Sequence, residues 1–208
     1  MKDGGTVLAA LRSKPSMAIA AWGFIVRGEP LADGQGQGCT LTCTRYGNSS
    51  IYQIAVARGG TDWYIPFHFG EARYCDVPRG ETDGTLVVTF PMNGCALEVR
   101  RINGDNRFYH DSDGNSMPND PPGVRSIRVT APDYEGPDRT AHFRALRYFS
   151  AEVQNQLEVP NRGGYEHTVL CVKQGSQWKV YGSTNIRLNF DAWQIKDRVP
   201  YHLGTFDD

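Results

Sequence analysis

Apolar positions in this chain fall mostly into short alternating or continuous runs broken by glycine- and asparagine-rich steps, the pattern of strands joined by turns. Residues 39–46, 51–57 and 63–67 read as three strands separated by Gly-Asn-Ser and Gly-Gly-Thr turns. The run Thr85-Leu-Val-Val-Thr-Phe90 is continuously apolar or β-branched and predicts a central strand. Residues 96–102 and 107–111 flank Asn103-Gly104, two residues that both tolerate positive φ, and so predict a hairpin. Segments 113–123 and 132–137 are loops by composition, with strand 124–130 between them. Two long strands, 165–173 and 177–190, close the pattern around Gly175-Ser176.

The period changes in two places. Residues 6–11 fit a short amphipathic helix, and Phe143, Leu146, Phe149 and Val153 recur at three- and four-residue steps, predicting a helix over 140–157. The apolar run 17–26, behind Arg12 and Lys14, imitates the core of a signal sequence, whose charged end would stand at the very start. It reads instead as a buried strand ended by Gly28 and Pro30. The expected architecture is α+β: a β-sandwich-like core of mixed and antiparallel sheets flanked by helices, in one domain over 1–208.

Composition narrows the partners. A formal net charge of -1 gives no electrostatic reason to expect nucleic acid or an anionic membrane, and no apolar stretch is long enough to span a bilayer. Five cysteines form an odd set without a dense framework, which predicts reduced thiols rather than a disulfide-stapled domain. A monomer is expected.

The candidate chemistry lies in Thr89-Phe-Pro-Met-Asn-Gly-Cys95 and Phe108-Tyr-His110, which set a thiol and an imidazole fifteen residues apart. Such a pair supplies a nucleophile and its base. If Asn103-Gly104 is a two-residue loop, Leu97 stands opposite His110 and Cys95 is its diagonal neighbour, about 7–8 Å away between backbone positions. A four-residue loop over 103–106 would move His110 opposite Val99, farther from the thiol but on the same face. Asp111 points to the other face in either case. Gly94 allows a sharp turn that exposes the Cys95 backbone N–H as an oxyanion donor.

Other constellations are weaker. Cys39 and Cys43 share a strand face without the further ligands of a zinc site. Gly34-Gln-Gly-Gln-Gly38 lacks the lysine and helix of a phosphate loop. Residues 111–122 miscount as a calcium loop, because Pro122 stands at the closing glutamate position. His167 and Cys171, four apart on one strand face, are a rival pair in principle but lack a glycine elbow and read as core packing, and His68 near Cys75 is a weaker pair still.

Gly94-Cys95 with Tyr109-His110 resembles the catalytic domain of the cytotoxic necrotizing factor toxins, whose members carry a Ser-Gly-Cys and a Tyr-His element at similar separation. The wider stretch from Trp63-Tyr-Ile-Pro-Phe67 through Thr89 to Cys95 resembles the Burkholderia lethal factor of the same superfamily. There a threonine also stands six positions before the cysteine. The resemblance covers about the first two thirds of the chain and thins after His110, and Asn93 replaces the family's serine.

What the resemblance implies is a secreted or injected effector, a glutamine deamidase acting on a host protein such as a small GTPase or a translation factor. Cys95 would be the nucleophile and His110 the base, with Thr89 orienting the imidazole through its carbonyl or hydroxyl. Gly94 and Asn93 would position the turn and its oxyanion donors. Neither metal nor cofactor enters this chemistry. The same pair would also serve a thiol protease or transglutaminase, and a non-catalytic β-sandwich interaction module with a buried Cys95 is the alternative from another class.

Overall fold

The computed structural model describes residues 2–27, 36–47, 49–135, 163–188, 193–196 and 202–208. Helices α1 (Gly4–Ser13) and α2 (Pro15–Ala21) lead into strands β1 (Gly23–Arg27), β2 (Gln37–Arg45), β3 (Ile51–Arg58) and β4 (Asp62–Ile65). Next come β5 (Ala72–Val77), β6 (Leu86–Thr89), β7 (Ala96–Ile102), β8 (Asp105–Asp111), β9 (Val124–Val129) and the short helix α3 (Ala131–Glu135). The remaining strands are β10 (Gly163–Gln174), β11 (Gln177–Leu188), β12 (Trp193–Lys196) and β13 (His202–Asp207). Among the described residues they form a nine-stranded mixed sheet, β1-β3-β2-β4-β6-β10-β11-β12 with β13 also on β11, and a four-stranded antiparallel sheet, β5-β8-β7-β9.

Side-chain alternation explains how the layers stack. On β6, Leu86 and Val88 point into a core shared with Val7, Leu11 and Ile19 of the two N-terminal helices. Their neighbour Val87 points the other way, into a core shared with Leu97, Val99 and Phe108 of the small sheet. Tyr64 and Ile65 on β4 divide in the same manner, as do Leu170 and Cys171 on β10. The result is three layers, helices on the large sheet on the small sheet. This is the α+β, sandwich-like arrangement expected from the sequence.

The β7–β8 hairpin turns through Asn103 (φ 52°) and Gly104 (φ 95°), with Ile102 paired to Asp105. The loop is therefore the tight two-residue form, and Leu97 pairs with His110. Both residues need left-handed backbone, which asparagine and glycine supply at low cost.

Three local expectations change. The run 17–26 is not one strand: Pro15 opens a helix at its first turn, alanines continue it to Ala21, and the strand begins only at Gly23. Residues 132–135 of the expected loop 132–137 belong to α3 (Ala131–Glu135), again with a proline in the first turn, where no N–H is missed. Strand β5 was not expected, because only Cys75 and Val77 of its six residues are fully buried. The helix expected over 140–157 lies outside the described residues. No helix among the described residues is long and apolar enough to cross a membrane.

Phe108 stands at the centre of the inter-sheet core, edge-on to Trp178 (5.3 Å between ring centroids) and to Phe206 (5.8 Å). Phe108→Ala is expected to cost about 3–5 kcal/mol in urea unfolding, the range for removing a fully enclosed aromatic ring.

Candidate functional site

Cys95 precedes β7 and follows a tight turn over residues 92–95, closed by its own N–H donating to the Met92 carbonyl at 3.3 Å. Gly94 takes φ 87° at the third position of that turn, and a Cβ there would meet nothing within 4 Å. Conformation rather than space selects glycine. The hydrogen bond also corrects an expectation. The Cys95 N–H is not exposed as an oxyanion donor, because closing the turn consumes it.

The turn is clasped from two directions. From β10, the His167 carbonyl accepts from Met92 N–H at 2.7 Å, and the His167 N–H donates to the Asn93 side-chain oxygen at 3.2 Å. From α3, the Tyr134 hydroxyl reaches the carbonyls of Met92 and of Cys95, the latter at 2.8 Å. Asn93 is exposed and serves as a tether for the turn.

His110 lies on the same face of the hairpin as Cys95, and that face looks into the inter-sheet core. Opposite it, across the sandwich, stands Thr89 at the end of β6. Thr89 Oγ1 is 2.6 Å from His110 Nδ1 and 3.0 Å from the Ile65 carbonyl oxygen. A threonine hydroxyl has one proton, and a carbonyl can only accept. The hydroxyl therefore donates to Ile65, and Nδ1–H donates to the hydroxyl. That relay fixes the neutral imidazole in the tautomer whose lone pair is on Nε2, the form a general base needs. Nε2 itself is buried and has no hydrogen-bond partner. The thiol and the ring are neighbours by register, without a direct hydrogen bond.

Both groups are nearly enclosed, Cys95 at 4% and His110 at 1% exposure. Burial pushes the imidazole pKa down from 6.5 to about 4. Burial also pushes the Cys95 thiol up. The Asp113 backbone N–H pulls it back, and the carboxylates of Asp113 and Asp111 raise it further. At neutral pH the resting pair is thus thiol and neutral imidazole.

Of the residues expected at the site, Cys95, Gly94 and Asn93 share one turn, while Thr89 and His110 meet across the sheets. Asp111 does lie on the other face, with Oδ2 2.7 Å from Arg128 and Oδ1 accepting from Ser116 N–H at 2.6 Å. Cys171 and Cys75 are core residues, and burial pushes both thiols far up. All five cysteines are free, and among the described residues no cluster of three or more His, Cys, Asp and Glu could hold a metal ion.

Four neighbours were not expected at the site, His167 among them because it read as packing. Phe67 sets its ring against His110, tilted by 51° at 4.9 Å between centroids, and is itself exposed. Arg73 on β5 pairs directly with His110 in the ladder, and its guanidinium meets Glu71 at 2.5 Å. Tyr134 and His167 clasp the turn, and His167 Nδ1 meets Thr184 Oγ1 at 2.9 Å. Only Phe67 carried a signal, as the end of the Trp63–Phe67 stretch.

The depressed imidazole pKa has a consequence for stability. Between pH 6.5 and about 4 the unfolded chain binds a proton at this position that the folded chain does not, so stability falls as pH drops through that window. Urea unfolding at pH 7 and pH 4 should show wild type losing on the order of 3 kcal/mol more than His110→Gln, from 1.36 kcal/mol per pKa unit. Equal losses in the two proteins would contradict a buried neutral imidazole.

No family model and no curated protein matches this chain.

Proposed function

We propose that this protein is a cysteine hydrolase of side-chain carboxamides, a glutamine deamidase with Cys95 as nucleophile and His110 as base. The observation that carries the reading is the Ile65–Thr89–His110 relay, which leaves a lone pair on Nε2 on the face that bears the thiol. A histidine with a merely structural role has no need of that tautomer with Nε2 unpartnered. The resemblance of residues 63–110 to the deamidase toxins points the same way, and on that resemblance the substrate is a host small GTPase or translation factor.

As Sγ attacks the carboxamide carbon, Nε2 takes the thiol proton and the carbonyl π pair moves to oxygen. The imidazolium then protonates the departing nitrogen, ammonia leaves, and a thioester remains. Water, deprotonated by Nε2, adds to the thioester, and its collapse releases glutamate and returns the proton to sulfur. Thr89 contributes orientation without a negative charge, so the imidazolium is less stabilised than beside a carboxylate. Entry to the pair follows a rotation of the exposed Phe67 ring away from His110.

The deep burial of both groups favours one rival reading, an interaction module in which Cys95 and His110 are core residues. Iodoacetamide at neutral pH separates the two. Cys95 should be alkylated well ahead of Cys39 and Cys43, whose thiols burial pushes up to about 12. No preference for Cys95 would sink the enzyme reading. In eukaryotic lysate, wild type but not Cys95→Ser should add about one dalton to a glutamine and leave chains uncut, as amide-to-acid conversion requires. New peptide termini would indicate a protease instead.

Thr89→Val preserves shape and removes the relay. The expected loss in kcat/KM is roughly 10²-fold, at the lower end for general-base catalysis, with the fold retained by near-UV circular dichroism. Undiminished activity would remove Thr89 from the mechanism.

A further inference from the structure

The sulfur of Cys95, once it gives up its proton, carries a charge that needs a donor of its own, and the Cys95 N–H is spent on the Met92 carbonyl. The segment beside it supplies one. In the turn Ser112–Gly114, Asp113 has φ 57° and ψ 9°, and Gly114 follows at φ 67°, two left-handed residues in succession. A Cβ on Gly114 would sit 3.6 Å from the Gly94 carbonyl oxygen and 3.9 Å from Ala96 Cβ, so this turn packs directly on the residues flanking the cysteine. Its Asp113 N–H is spent on no carbonyl or carboxylate among the described residues, and hydrogen bonding from it draws the Cys95 thiol down against the burial that pushes it up.

A non-glycine residue in the left-handed region is held there by its surroundings. Here the holding is explicit. Arg128 on β9 donates to the Gly114 carbonyl at 2.7 Å and to Asp111 Oδ2 at 2.7 Å, and Glu98 on β7 fixes its other nitrogen at 2.7 Å. Asp111 accepts from Ser116 N–H, the Ser116 hydroxyl returns to the Ser112 carbonyl at 2.8 Å, and Ser112 Oγ accepts from Gly70 N–H at 3.1 Å. The bonds that tie the turn to the rest of the sheet pass through Arg128, Asp111 or Ser112, and within it Asn115 Nδ2 donates to the Asp113 carbonyl at 3.2 Å.

We propose that the Asp113 backbone N–H is the donor that receives the negative charge of Cys95, and that Arg128 is the positioning residue that aims it. The assignment rests on Cys95 being the nucleophile. The charged groups acting on the thiol are the carboxylates of Asp113 and Asp111; His110 shares its face of the hairpin, and the Tyr134 hydroxyl holds the Cys95 carbonyl. Both carboxylates oppose a thiolate. Arg128 therefore acts twice, by holding the N–H in place and by neutralising Asp111. The Asp113 side chain has no positive part in this scheme.

The test is the pH–rate profile of Cys95 alkylation in the full chain, for wild type, Arg128→Gln, Arg128→Lys, Asp113→Gly, and a chain whose peptide bond into residue 113 is an ester. The ester removes that N–H alone. Ester and Arg128→Gln should each slow alkylation about tenfold at pH 7 and move the profile up by about one unit, the equivalent shift. Arg128→Lys should recover part of the loss. Asp113→Gly keeps the N–H, tolerates the conformation and removes an opposing charge, so it should match or exceed wild type.

A wild-type rate in the ester, or a collapse in Asp113→Gly, would overturn the assignment. Should Arg128→Gln fail to fold, the ester decides alone. A wild-type Cys95 no more reactive than Cys39 would overturn the nucleophile and this assignment together. A reactive wild type with an unaffected ester overturns the assignment only.

Discussion

A strand buried on both faces leaves no freedom in where its side chains go, and β6 is such a strand. Its four residues are all enclosed, between β4 and β10 within the sheet and between helices and small sheet across it. Leu86 and Val88 must face the helices and Val87 the small sheet, so Thr89 must also face the small sheet. A hydroxyl at that depth has to be satisfied. Ile65, paired with Thr89 in the parallel β4–β6 ladder, supplies the acceptor, and His110 from the opposing sheet supplies the donor. One strand's alternation thereby sets the height, tautomer and partner of the imidazole.

The outer face of the small sheet carries the complementary constraint. Glu98 and Asp111 are buried carboxylates, and Arg100 and Arg128 close over them in a chain of ion pairs at 2.7 Å. Against the desolvation that pushes it up, hydrogen bonds from Arg100 and Arg128 hold the Glu98 carboxyl below its ordinary range. Such a cluster adds little net stability over apolar packing, yet removing one member leaves a buried charge and costs about 3–5 kcal/mol. Its effect here is geometric, since it locks β7, β8, β9 and the turn after β8 into one register. The inner face can then present Cys95 and His110 with little slack.

Much of this was legible in the sequence where the determinants are local. Asn103-Gly104 predicts a hairpin, and the shared face of Cys95 and His110 follows by counting in either loop length, while the Leu97–His110 pairing needed the structure to choose the two-residue form. The exclusion of Asp111 follows by the same count. The meeting of Thr89 with His110 came only through resemblance, because no local pattern tells which residue of one sheet reaches across to another. Strand β5 escaped notice because it is an edge strand with alternate residues half in solvent, and Arg73 escaped with it. Tyr134 escaped because a proline-led stretch reads as loop until its first turn is seen to be helical. The state of the Cys95 N–H was misjudged because glycine signals that a turn exists and does not say which groups close it.

The thiol and the imidazole hang from one hairpin, but the threonine that orients the imidazole belongs to the other sheet. A hairpin is a short-range object that forms quickly, whereas the two sheets meet only after long stretches of chain have closed. Until they meet, the imidazole is solvated, free to exchange tautomers and free to charge near its ordinary pKa. On the proposed reading, the thiol and imidazole are thus brought together early and made competent late. Competence in this chain is a property of the closed sandwich, and any breathing that parts the sheets returns the pair to an ordinary cysteine and histidine.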